Sequence, residues 1–304
     1  MERKLILDYD SGRIAAKLDR GEKTLVQNVR LRLRAAERLA LIGETGSGKT
    51  MTALSVMRLL PDNVKMTDGK LLFDGRELLK DKSIRPLLGL EIVYIPQNGL
   101  EFLNPSRSVR RQLYDNLKKL DIPRSRLREK AREALYAAGF DEPEEILEKY
   151  PFQLSGGMAQ RVTIALAACS RAKLLIADEP TNGLDPEATK RFFLLLDRVF
   201  PEAAKLIITH DIAVAALCDR VQVLCGGRTV ESGNTRQVLR APHHPYTKAL
   251  LAALVENGMR ESPPLRAQEG PCPFYRRCVY ASEVCLAEPP RRADADTEWW
   301  CCQP

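Results

Sequence analysis

The stretch Gly43-Glu44-Thr45-Gly46-Ser47-Gly48-Lys49-Thr50 decides the fold of this 304-residue chain. It fits the pattern G-x-x-x-x-G-K-[ST]. A short apolar run, RLALIG, precedes it, and a segment without Gly or Pro follows it and stops at Pro61. Strand, glycine-rich turn and helix in that order are the setting in which the pattern has chemical meaning. Glycines let the backbone curl so that its N–H groups face an anion, and the helix N-terminus adds its positive dipole end. In that geometry Lys49 reaches the β- and γ-phosphates of a nucleotide and the Thr50 hydroxyl ligates Mg²⁺.

Working outward, TLVQNVRLRLR (24–34) places Leu25, Val29, Leu31 and Leu33 at alternate positions and predicts one half-buried strand. A helix is expected over 50–60, and LLFDG (71–75) and EIVYIPQ (91–97) read as strands. From about 98 to 150 the chain turns charged, Leu-rich and helical, with a break at Pro123. Then come a helix (156–171), a strand (173–178), a helix (186–199), a strand (204–209) and a helix (211–219). Such alternation implies a mostly parallel sheet covered by helices on both faces. Two short strands, VQVLC and RTVESG, follow, then helices to about 256 and a linker over 257–271. The expected fold is an α/β P-loop NTPase. It has a mostly parallel core with an antiparallel part, a helical subdomain inserted at about 98–170, and a small cysteine-rich C-terminal extension. Residues 1–256 form the nucleotide-binding domain and 257–304 the extension.

Composition bounds the function classes. Apolar residues make up 44% of the chain, enough for a sizeable core. No run approaches the roughly 18–20 apolar residues that span a bilayer. The N-terminus, MERKLILDYDSG, lacks the apolar segment of a signal peptide, so the expected compartment is the cytosol, where disulfides are rare. The net charge of +7 is spread over segments of mixed sign such as RSRLREKARE. That distribution favours solvated helix faces over a nucleic-acid patch.

The second half of a nucleotide site lies downstream. LLIADEP (174–180) is an apolar strand ending in two carboxylates, and acids at the tip of a buried strand have a task. Asp178 suits Mg²⁺, and Glu179 suits a general base that polarises the attacking water. LSGGMAQR (154–161) opens a helix with Ser155-Gly156-Gly157, a second anion-binding terminus in the same chain. One nucleotide has one γ-phosphate, so this second terminus best serves a nucleotide held by another subunit. With these motifs the chain resembles the ATP-binding-cassette (ABC) ATPases, in which LSGG of one subunit closes over the ATP of its partner. The resemblance covers roughly residues 22–256, with the motifs in the family's order. It implies that Gln97 senses the γ-phosphate and Mg²⁺, that GLDP (183–186) is a dimer-contact loop, and that His210 is the switch histidine. Lys49, Glu179, Gln97 and His210 are then the catalytic set, with Thr50, Gln97 and Asp178 around Mg²⁺. The family's adenine-stacking aromatic is missing from KLDRGEKT. Tyr9, further upstream, is the nearest candidate, with aliphatic and Arg contacts as the alternative.

FLNPSRSVRRQL (102–113) and APHHPYTKALLAAL (241–254) resemble the oligopeptide/dipeptide/nickel importer branch. That branch implies a peripheral ATPase on the cytoplasmic face of the membrane. It works with a second ABC ATPase subunit, two transmembrane permease subunits and, indirectly, an extracytoplasmic solute-binding protein, with no nucleic acid. A soluble cassette ATPase acting on nucleic acid or ribosomes is the alternative. Five of the eight cysteines fall in the last 33 residues. In that branch a similar tail implies a [4Fe–4S] cluster held by Cys272, Cys278, Cys285 and either Cys301 or Cys302. Zinc and free thiols remain the rivals, although the tight C-x₂₋₄-C knuckle of structural zinc is absent. Cys169, Cys218 and Cys225 are expected to be small buried hydrophobes. Trp299 and Trp300 are expected to shield the cluster or to meet a partner subunit.

Overall fold

The computed structural model describes residues 3–19, 21–79, 82–253 and 271–303. All but the last residue of the expected linker lies outside them. The chain divides into two compact units: Met1–Ile6 with Arg34–Glu37 and Lys80–Ile207, and Leu7–Leu33 with Arg38–Leu79 and Ile208–Pro304.

In the first unit the strands Ile92–Ile95 and Leu174–Asp178 run parallel, with Ile176 opposite Tyr94 and Ala177 opposite Ile95. The strand Ala204–Thr209 lies on the other side of Leu174–Asp178. Every residue of the latter two strands is buried, as expected for parallel strands covered on both faces. The inserted helices are Val109–Lys118, Leu127–Ala137 and Pro143–Glu148, and the helix Gly156–Ala168 follows. Val109, Leu113 and Leu117 recur every four residues and bury one stripe of the first of these. Ser108 caps its start by accepting from the Arg111 amide. The turn Gly99–Phe102 sits so close to the helix Gly156–Ala168 that a Cβ on Gly99 lies 3.0 Å from the Ala159 backbone. Glycine is therefore what permits this approach just after Gln97.

In the second unit a sheet runs in the order Arg291–Ala293, Thr297–Trp300, Arg228–Asn234, Arg220–Cys225, Arg38–Ile42. The last pair is parallel and the others antiparallel. The strand Arg13–Leu18 pairs antiparallel with both Gly21–Gln27 and Val64–Thr67, and Leu5–Asp10 pairs with Lys70–Phe73. The mixed architecture expected from the sequence is present.

Four local expectations are corrected. The stretch 24–34 forms two strands, because Asn28 adopts φ 55 and shifts the alternation, so that Val26 rather than Leu25 is buried. The first helix spans Lys49–Val56 and stops short of Pro61, since Arg58 is left-handed at φ 53. The helix expected over 211–219 is one turn, Ile212–Ala215. The tail adds two strands, with Trp299 opposite Glu231.

Tyr9 is withdrawn as an adenine contact. It is 1% exposed, and its hydroxyl lies 2.5 Å from Ser55 Oγ inside the core. Tyr9→Phe is expected to cost about 1 kcal/mol of stability, the worth of one buried hydrogen bond. Chemical denaturation checks this, and nucleotide affinity should stay unchanged.

Candidate functional site

The phosphate loop is built as its sequence dictates. Gly43, Gly46 and Gly48 adopt φ 151, 81 and 98, conformations that side chains with a Cβ rarely take. At Gly43 space forbids a Cβ as well, since it would lie 2.2 Å from the Leu224 carbonyl oxygen. Ser47 Oγ is buried and has no hydrogen-bond partner among the described residues, as suits a cradle shaped for an anion. Lys49 is buried, and its Nζ donates to the carbonyls of Gly43 at 2.6 Å and Glu44 at 3.1 Å. Thr50, Glu44, Thr45 and Gly46 are exposed at the surface of the loop. His210, exposed at the end of the strand Ala204–Thr209, belongs to the same unit.

The other unit carries Gln97, Asp178, Glu179 and Ser155-Gly156-Gly157. Asp178 ends its strand buried, and the Tyr94 hydroxyl donates to its Oδ2 at 3.4 Å. Burial first, and then the adjacent carboxylate, push the Tyr94 phenol up, so it remains a donor. Glu179 follows with φ 46, left-handed for a residue with a Cβ, the kind of strain that collects at functional positions. Ser155 caps the helix Gly156–Ala168 by accepting from the Met158 amide at 3.3 Å, and Ser155, Gly156 and Gly157 all face solvent. The helix start is thus open to an external anion. Gln160, one turn in, donates to the Pro180 carbonyl and ties this helix to the loop after Glu179. Gln97 is exposed, next to Asn98, which caps the turn at Gly99. Asp185 of GLDP caps the helix Pro186–Val199, accepting from Ala188 at 2.8 Å.

The HPYT stretch resolves into separate tasks. His244 caps the helix Pro245–Ala252 through Nδ1, Pro245 opens it, and the Tyr246 hydroxyl accepts from the Glu44 amide of the phosphate loop at 3.0 Å. Tyr94, Gln160 and Tyr246 are contacts that the sequence reading missed. Each joins segments far apart in the chain and leaves no local periodic signal.

The tail cysteines gather. Cys272, Cys278, Cys285, Cys301 and Cys302 line one cavity of about 20 Å³ together with His244. Among the described residues no three His, Cys, Asp or Glu side chains form a group that could hold a metal ion. Five free thiols around one cavity are donor chemistry that suits an iron–sulfur cluster. Trp299 stacks on His243, ring centroids 3.9 Å apart, and so packs against its own chain. Cys169, Cys218 and Cys225 are buried, as expected. Burial pushes the Cys169 and Cys225 thiols up to about 12. At pH 8 only about one such thiol in 10⁴ is a thiolate, the reactive form. Both should stay unlabelled by iodoacetamide in the native protein and label fully in denaturant, as peptide mapping can check.

A glycine-lined phosphate cradle and a strand ending in Asp-Glu define a P-loop nucleotide-binding protein, and the open Ser-Gly-Gly helix start narrows the class further. Comparison with known proteins agrees. Residues 26–182 match the ABC transporter family, and residues 230–285 match the oligopeptide/dipeptide transporter C-terminal region. The oligopeptide transport ATP-binding protein OppD of Escherichia coli (strain K12) is 37% identical over 301 residues, 94% of this chain and 89% of that protein. The dipeptide transport ATP-binding protein DppD of Bacillus subtilis (strain 168) is 35% identical, over 87% of this chain and 84% of that protein. Among solved structures, a post-hydrolysis dimer of the ATP-binding cassette MJ0796 bound to ADP and Pi superposes with a TM-score of 0.67 at 24% identity. The match covers 76% of this chain and 99% of that one. The cbiO1 protein of Clostridium perfringens, part of the ABC transporter complex cbiONQ, gives 0.65 at 25% identity, over 82% and 95%. The chain belongs to the ABC transporter family and has the fold of its ATPase cassette. Among the described residues no helix is long and apolar enough to cross a membrane.

Proposed function

We propose that this chain is the ATP-hydrolysing subunit of a peptide importer. It sits on the cytoplasmic face of the membrane under two permease subunits and beside a second cassette ATPase. What carries the reading is the C-terminal match over 230–285, together with near full-length similarity to oligopeptide and dipeptide transport ATP-binding proteins. Those relatives' names speak for peptides and lend nothing to nickel. No comparison favours nucleic acid.

In this reading Lys49 and the loop amides take the nucleotide phosphates, and Thr50, Asp178 and Gln97 hold Mg²⁺. Glu179 takes the proton from the attacking water. Ser155, Gly156 and Gly157 face the nucleotide of the partner subunit, and His210 contacts the γ-phosphate. Because each ATP needs donors from two subunits, ATP binding and dimer closure become one event, and hydrolysis reopens the pair. The test is peptide-stimulated ATP hydrolysis by the complex in proteoliposomes supplied with its solute-binding protein. ATP turnover indifferent to every peptide offered removes the peptide assignment.

For the tail we propose an iron–sulfur element on Cys272, Cys278, Cys285 and Cys301 or Cys302. The gathering of all five tail cysteines around one cavity supports it. Anaerobically purified protein that carries iron and sulfide and absorbs at about 400 nm bears the cluster. Colourless, iron-free protein has free thiols.

A further inference from the structure

The phosphate loop is gripped from the C-terminal side of the chain. Glu44, its second residue, is held at three points. Its amide donates to the Tyr246 hydroxyl at 3.0 Å, and its carbonyl accepts from Lys49 Nζ at 3.1 Å. Its carboxylate accepts two parallel bonds from Arg277, Nη1 to Oε1 at 2.9 Å and Nη2 to Oε2 at 2.8 Å. Two-point pairing of guanidinium and carboxylate fixes both distance and plane. Arg277 is itself seated, its guanidinium 5.2 Å from the Phe274 ring centroid and 5.9 Å from that of Tyr246. Those two rings meet edge to face at 5.4 Å. Tyr246 is 1% exposed, so it cannot move without repacking this cluster.

A second brace reaches the same loop. The Gly227 amide donates to the Ser47 carbonyl at 3.0 Å. Its neighbour Gly226 lies against Pro273, so closely that a Cβ there would sit 2.7 Å from the proline Cβ. The segment 273–277, between Cys272 and Cys278, therefore touches both Glu44 and the turn that supports Ser47.

We infer that Tyr246 and Arg277 are positioning residues for nucleotide binding: by clamping Glu44 they hold the phosphate loop in its anion-ready curl and set how tightly it takes a nucleotide. This rests on residues 43–50 being the nucleotide site. Glu44 carries the carbonyl on which Lys49 rests, so loosening it lets both the loop and its lysine drift. The effect belongs to affinity, because what the clamp holds is the phosphate loop itself.

The experiment uses the full chain and fluorescent Mg·ATP analogue titration for Tyr246→Phe, Arg277→Ala, Arg277→Lys and the exchange Glu44→Arg/Arg277→Glu. Tyr246→Phe removes one oxygen and keeps the ring, so its fold is safe. Tyr246→Phe and Arg277→Ala are each expected to weaken binding about threefold to tenfold, the scale of losing one partner of a strong hydrogen bond. Arg277→Lys should fall between Arg277→Ala and the parent. The charge exchange should recover most of the affinity lost in Arg277→Ala. In the assembled transporter the KM for ATP should rise while kcat at saturating ATP stays within about twofold, the signature of lost uniform binding. Unchanged affinity in Tyr246→Phe and Arg277→Ala overturns the inference. So does a loss that follows a falling Tm and is not recovered by the exchange. Lys49→Ala runs alongside: if it binds as well as the parent, the nucleotide reading of the loop has failed, independently of the clamp.

Discussion

Glu179→Gln is expected to bind ATP within about twofold of the parent and to lose about 10²- to 10⁴-fold in turnover, the usual range for removing a general base. The substitution keeps the length and shape of the side chain and the backbone's left-handed φ of 46. What it removes is the group that accepts the water proton. Asp178, buried at the end of the strand and hydrogen-bonded by Tyr94, is untouched, so the strand end keeps its form. The variant should therefore accumulate with ATP bound and, in a pair, stay closed. Steady-state ATPase together with a binding titration checks both halves. Substantial remaining turnover removes Glu179 as the base.

Lys49→Ala is expected to fail one step earlier, weakening nucleotide binding at least about thirtyfold, the loss typical of truncating one member of a buried charge pair. Lys49 is buried in the loop and rests on the Gly43 and Glu44 carbonyls, poised over the curl its own glycines create. No neighbouring residue of the loop carries a positive charge to replace it. A binding titration is the discriminating reading: Lys49→Ala that binds as well as the parent means that residues 43–50 do not hold the nucleotide.

Much of this was legible in the sequence, for identifiable reasons. The helix Pro186–Val199 and the strand Ala204–Thr209 match their expected limits. Asp185 and Pro186 mark a helix start by local chemistry, and an apolar run between turns marks a buried strand. The phosphate loop was legible because Gly43, Gly46 and Gly48 answer to backbone curvature and Lys49 to charge. Asn28 was not, since alternation cannot register a shift made by one left-handed residue. The strands Arg291–Ala293 and Thr297–Trp300 are short, and only pairing makes them strands, the second with Arg228–Asn234 and the first with the second. The Glu44–Arg277 pair joins positions 233 apart, and neither residue is unusual where it stands. Tyr9 misled because an aromatic near the expected place says nothing of whether its ring faces solvent or core.

The most direct test of the account is mild-detergent capture of this chain from its own membranes, with mass spectrometry of what accompanies it. The account predicts two multi-span permeases and a second cassette ATPase at near-equal abundance, with a peptide-binding protein as the looser companion. Ribosomal proteins or nucleic acid with no membrane partner would contradict it.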